Sequence, residues 1–311
     1  MKVVFFNHFH NGDLHISREF IRKIMQKVNM IDPYTSFSYA HVNDPCLLSD
    51  IPNLEYQNLR GLNIGQFENL KSNGDIVYIN TWYAQQNYKY MNVHGMTLDC
   101  LYEAFNDTCK SLWGFSLEEI SDDPNLFIPT IDYSKFKIQN IQSWLALHPQ
   151  RKIFVSNGAA LSGQAINFPM TPIVCELAQR HQDKIFILSN QENSQTLPPN
   201  VVYSKDIIQK QHGSDLNENS FLTTYCDAII GRASGAFSYA WTQENMLQRK
   251  NKFICFCGPG VVIRSPYQFW TSSLLSNKIR YSVEYIVSES TDSNEVKNII
   301  DAHISSHDSN D

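Results

Sequence analysis

The feature that most constrains this chain is the alternation of short apolar runs with helical periodicity through its second half. The runs cover residues 152–156, 184–188, 201–203, 228–231 and 253–257, and helical spacing fills 171–181, 219–226 and 236–248 between them. Strands alternating with helices specify a parallel sheet covered on both faces. A strand buried on both faces reads as a continuous apolar run, which is what these segments show.

The first half carries the same signal less cleanly. Residues 3–6 form an apolar run, and Ile16, Phe20, Ile24 and Val28 then recur every fourth position, a helical stripe with Arg18, Arg22 and Lys23 placed off it. Residues 35–41 and 75–80 read as further strands. Leu98, Leu101, Phe105, Cys109 and Leu112 mark a long amphipathic helix, with Thr97 positioned as its cap. Residues 53–73 and the acidic, proline-containing stretch 114–137 give no assignment. A short helix over 138–147 precedes the cleaner half, and a helix over 295–303 leads to a polar tail. A chain of 311 residues exceeds one ordinary core. The expected division is 1–147, 148–288, and a C-terminal helix and tail over 289–311.

Charge and cysteine usage narrow the class. A formal charge of −6 argues against a nucleic-acid binder, which presents a basic face. No run approaches the roughly 20 apolar residues of a membrane span. The apolar start breaks at Asn7 with no small-residue cleavage site after it, so it reads as a buried strand rather than a secretory signal. The seven cysteines are odd in number and scattered, as expected of reduced thiols in a cytoplasmic protein.

In open parallel sheets, ligands bind beyond the carboxyl ends of strands, in the loops entering the next helix. Three loops answer to that rule. The first holds His8, His10, Asn11, Gly12, Asp13 and His15. Gly12 permits close backbone approach, and Asp13 reads either as a general base toward a hydroxyl or as a helix N-cap. The histidines are alternative bases or solvated neighbours, and their spacing is not that of metal ligands on a helix. The second loop runs Gly231, Arg232, Ala233, Ser234, Gly235, Ala236. Small residues at a helix start expose backbone N–H groups to an anion, and Arg232 and Ser234 add donors for phosphate. A tight strand-to-helix turn needs the same small residues. The pattern is neither a P-loop nor a dinucleotide fingerprint. The third, after residue 156, contains Asn157 and Gly158 and reads as a phosphate or sugar contact or as a plain loop.

Gly12-Asp13 after an N-terminal strand, together with the segment from Tyr225 to Ala236, resembles the heptosyltransferase-like GT-B glycosyltransferases. The resemblance implies an α/β architecture of two Rossmann-like domains, each a mostly parallel sheet flanked by helices, with the ligand cleft between them. It implies an inverting, metal-independent transfer of a sugar from a nucleotide-diphosphate sugar to a hydroxyl acceptor on a glycan, lipid-linked glycan or polysaccharide. No cofactor and no metal are expected. Asp13 takes the role of catalytic base. His10, Asn11, Gly12, Trp82, Tyr83 and Gln85 fall on the acceptor side, and the Gly231–Ala236 loop with Asn157 and Gly158 on the donor side. The sequence departs from the family where Leu14-His15-Ile16 replaces small residues, where Arg232 stands at a usually small or acidic position, and where Gly258-Pro259-Gly260 replaces Gly-Pro-Thr. These departures leave open an epimerase or pyruvyl transferase on a similar scaffold, and a non-catalytic nucleotide-sugar-binding protein.

Overall fold

The structure is a computed structural model that describes residues 1–8, 11–42, 44–65, 70–82, 98–120, 127–161, 163–192, 196–210, 213–249, 251–259 and 283–305. Two compact units divide between Lys135 and Phe136. No helix among the described residues is long and apolar enough to cross a membrane.

The first unit is built on β1 (Lys2–Phe6), flanked in parallel by β2 (Ser36–His41) and β5 (Ile76–Asn80). Beyond β2 lies β3 (Leu54–Asn58), again parallel, and beyond β5 lies β4 (Leu70–Asn73), which is antiparallel. The strand order is β3-β2-β1-β5-β4. Val3, Val4, Phe5 and Phe6 are each at most 1% exposed, as the unbroken apolar run of a central strand requires. The chain leaves β1 through a short helix, α1 (Asn11–Ile16), and turns at Ser17 into α2 (Arg18–Ile31). The expected stripe of Ile16, Phe20, Ile24 and Val28 is the buried face. Phe20 stacks on Phe105 of α3 (Leu98–Trp113) and on Phe127, at centroid distances of 5.1 and 4.7 Å. Part of the unassigned 114–137 stretch therefore closes this core.

The second unit carries β6 (Arg151–Ser156), β7 (Lys184–Leu188), β8 (Val201–Tyr203), β9 (Ala228–Arg232), β10 (Lys252–Phe256) and β11 (Glu284–Ser288). All pair in parallel, in the order β11-β10-β9-β6-β7-β8. Counted from β6, that is the 3-2-1-4-5-6 order of a doubly wound nucleotide-binding sheet. Its helices include α4 (Gln139–Leu147), α5 (Thr171–Arg180), α6 (Ser204–Ile208), α7 (Leu216–Thr223), α8 (Gly235–Ser238) and α9 (Ser293–Ser305). α5 and α9 cover the core, with Val174, Leu177, Val296 and Ile300 at most 1% exposed.

The short helix α4 falls in the second unit, where Asn140 Nδ2 donates to the Ile208 carbonyl of α6 at 3.4 Å and Ile141 is fully buried. Two expectations need correction. The helix expected over 236–248 is broken into four residues of α8, turns, and a π-helical turn at Glu244–Gln248. Asn245 Nδ2 donates to the Ala240 carbonyl at 2.9 Å, occupying an acceptor that a continuous helix uses itself. The helix expected over 219–226 starts three residues earlier, at Leu216.

Candidate functional site

Each sheet has a point where successive connections leave in opposite directions, and the strand ends there diverge to leave room for a ligand. In the second unit that point lies between β6 and β9. The loops concerned are Ser156-Asn157-Gly158 and Arg232-Ala233-Ser234-Gly235, so four residues of the expected donor loop and both residues of the third loop meet at one place.

Asn157 is fully buried and organises the β6 loop. Its Nδ2 donates to the Asn190 carbonyl at 2.7 Å and to Thr171 Oγ1 at 3.3 Å. Its Oδ1 accepts from Asn190 N at 2.8 Å and Ser189 Oγ at 3.2 Å. Glu192 continues the network: one carboxylate oxygen accepts from Thr171 N at 3.0 Å and Thr171 Oγ1 at 2.7 Å. The glycines answer to contact rather than to conformation. A Cβ on Gly158 would fall 2.2 Å from Asn190 Nδ2, and one on Gly231 would fall 2.6 Å from the Phe237 ring and 2.9 Å from Ser156 Cβ. Gly231 is thus a packing residue where β9 meets β6.

Arg232 does not reach outward toward a phosphate as the sequence reading expected. It is 2% exposed, and its terminal nitrogens donate to the carbonyls of Asn157, Gly158 and Phe168. The guanidinium lies over the Phe168 ring, 5.0 Å from its centroid, with Glu192 Oε1 at 3.5 Å. Burial lowers its pKa, and the nearby Glu192 carboxylate opposes that shift. A side chain so engaged braces the β6 loop.

Ser234 is likewise committed, because its Oγ caps α8 by accepting from Phe237 N at 3.2 Å. Ala233 N donates to the Phe256 carbonyl at 2.8 Å. Among the described residues no acceptor meets the N–H groups of Gly235, half-buried, and Ala236, exposed, at this helix start. A four-residue helix supplies little macrodipole, so a bound anion here depends on those two N–H groups directly. Beside them is a cavity of about 40 Å³ bordered by Ser156, Asn190, Asn219 and Ala236, with space for only a few waters. Asn219 Oδ1 is buried there without a partner among the described residues.

In the first unit the corresponding point lies between β1 and β5. Thr81 N and Oγ1 both donate to the Phe6 carbonyl, at 2.9 and 3.1 Å, and Asn80 Oδ1 accepts from Trp82 N at 2.8 Å. Asn7, Asn80 and Thr81 are buried, a polar lining at the ends of both strands. Asn11 opens α1, Gly12 is buried, and Asp13 is half-buried in the first helical turn, so Asp13 is not the N-cap. A carboxylate in that turn faces the favourable end of the helix. His15 is fully buried and points into the fold, which removes it from the solvent-side histidines. Burial lowers the pKa of the half-buried His8. Trp82 is half-buried after β5, whereas His10, Tyr83 and Gln85 lie outside the described residues. Among the described residues no group of three or more His, Cys, Asp or Glu side chains is arranged to hold a metal ion.

Asn190, Glu192 and Thr171 were not singled out from the sequence. Their signal was available, since residues 189–192 follow the carboxyl end of β7 and carry two amides and a carboxylate.

No family model matches the sequence, and no curated protein matches it. Solved structures do match the fold. A glycosyl transferase family 9 protein from Veillonella parvula shares 14% identity at a TM-score of 0.50, over 96% of this chain and 88% of that one. The ADP-heptose lipopolysaccharide heptosyltransferase II of E. coli shares 13% identity at a TM-score of 0.50, over 99% of this chain and all of the other. Identity at that level establishes architecture rather than activity. The chain has the fold of these glycosyltransferases, two Rossmann-like domains of GT-B type.

Proposed function

We propose that the protein is a glycosyltransferase that moves a sugar from a nucleotide-diphosphate sugar to a hydroxyl acceptor. The observation that carries this reading is the switch point of the second sheet. There a doubly wound 3-2-1-4-5-6 strand order ends in a loop whose Gly235 and Ala236 N–H groups meet no acceptor among the described residues.

The donor diphosphate binds those N–H groups, and the β6 loop, braced by Arg232 and organised by Asn157, shapes the surface beside them. Asp13 accepts the proton of the acceptor hydroxyl as its oxygen attacks the anomeric carbon. The glycosidic bond to the diphosphate breaks on the opposite face, so configuration inverts and the nucleoside diphosphate leaves with the bonding pair. Charge on the leaving group is met by backbone donors rather than by a bound metal. Arg232 acts on the donor only through the loop it holds. Trp82, with Tyr83 and Gln85, belongs to the acceptor side.

A thermal-shift series with UDP, GDP and ADP tests the donor site. Saturating ligand at about 100 times Kd stabilises the folded state by about 2.7 kcal/mol. One of the three is expected to raise the midpoint, and silence from all three contradicts the reading. The engagement of Arg232 favours one alternative, a non-catalytic nucleotide-sugar-binding protein. That alternative predicts the same shift without release of nucleoside diphosphate from any nucleotide sugar.

A further inference from the structure

Along one side of the first unit, α2 and the segment ahead of β3 border a groove of about 520 Å³, a size usual for small-molecule sites. Residues 50–53 lead into the amino end of β3, whereas Asp13 follows the carboxyl end of β1, so the groove is separate from the polar strand ends described above.

Two of the residues that line the groove, Arg22 and Asp50, belong to a buried ion-pair network. Arg18 is fully buried, ion-pairs with the equally buried Asp50, and donates to the Leu47 carbonyl at 2.5 Å. Arg22 joins Glu19, Asp50 and Thr130, and Asp132 N donates to Asp50 Oδ2 at 3.2 Å. Two guanidinium groups are thereby matched by two carboxylates, and the exposed Asp132 adds a further negative charge at the rim. The rim also presents the carboxamides of Gln26, Asn29 and Asn53, all exposed and hydrogen-bonded to nothing among the described residues. Asn53 is held at φ +61°, a left-handed conformation that few side chains adopt. Met25 and Ile51, each 3% exposed, supply apolar wall between the polar groups.

We propose that this groove is a binding site for a neutral saccharide. Carboxamides present donor and acceptor together, which suits vicinal hydroxyl groups, and the aliphatic walls suit the C–H faces of a sugar ring. The matched cations leave no charge for a phosphate or a uronate, and Asp132 repels both. Binding here involves neither Asp13 nor the donor loop, so it stands or falls apart from the transfer reaction.

The test applies the labelled full-length chain to a microarray of neutral and acidic glycans, followed by calorimetry with the strongest neutral ligand. The account expects retention of neutral glycans. In solution, Gln26→Ala/Asn29→Ala weakens binding about tenfold or more, the value for two lost hydrogen bonds. Asn29→Leu keeps a similar shape and removes the amide's donors and acceptor without adding charge, and it weakens binding as well, which separates recognition from any loss of fold. Asp13→Asn binds as the wild type does. Retention of no glycan, retention of acidic glycans alone, or affinity unchanged by the groove substitutions overturns the proposal. Failure of the nucleotide series leaves this binding untouched.

Discussion

Replacing Arg232 by Met isolates the brace at the centre of the second unit. The substitution keeps an unbranched apolar stem against Phe168 and deletes the donors to three carbonyls, those of Asn157, Gly158 and Phe168. A buried carbonyl left unsatisfied costs about 1–3 kcal/mol. Neighbouring losses do not add fully, and Glu192 gains freedom once the guanidinium at 3.5 Å is gone. The expected loss is about 3–5 kcal/mol, in the range for breaking a buried charged network. At about 2–4 °C per kcal/mol for a domain of this size, the melting midpoint falls by roughly 6–20 °C. Chemical denaturation followed by tryptophan fluorescence measures the loss. Arg232→Lys serves as the internal comparison, because a point-like ammonium cannot span three carbonyls and recovers only part of the stability. A loss below about 1 kcal/mol for Arg232→Met, with nucleotide response abolished, refutes the brace and returns Arg232 to direct ligand contact.

Two further perturbations test the packing and the ionisation of the fold. Gly231→Ala forces a methyl to within 2.6 Å of the Phe237 ring and 2.9 Å of Ser156 Cβ, so it destabilises by about 1–3 kcal/mol in the same denaturation assay. Burial lowers the pKa of His41, with Asp44 opposing the shift. The unfolded state therefore binds more protons below about pH 6.5, and stability falls as pH drops from there toward the lowered folded pKa. The denaturation midpoint should be lower at pH 5.5 than at pH 7, and His41→Phe should reduce that difference.

What the sequence disclosed follows from burial. β1, β6, β7, β9 and β10 are interior strands covered on both faces, and each announced itself as an apolar run. β11 and β4 lie at sheet edges, where one side of the strand has no partner among the described residues and the residues are mixed. Their pairing comes from tertiary context, and neither showed a periodic signal. The rule that ligands gather at strand ends singled out Asn157, Gly158 and the Gly231–Ala236 loop, whose residues the second unit places at neighbouring strand ends. It said nothing about side-chain direction. Whether Arg232 faces outward or inward depends on three carbonyls and a ring supplied by residues 157, 158 and 168, far from it in sequence. His15 was misplaced for a related reason, since its helix turns that position wholly into the core.

The most direct test of the proposed transfer compares the wild type with Asp13→Asn, following nucleoside diphosphate release from nucleotide sugars whose nucleotide raises the melting midpoint. Asp13 is half-buried at the start of α1, so the isosteric change leaves the fold and the nucleotide response in place. The account predicts that release falls by about 10²–10⁴, the usual contribution of a general base, with an unchanged midpoint shift. Release at the wild-type rate in Asp13→Asn contradicts the assignment of Asp13 as the base.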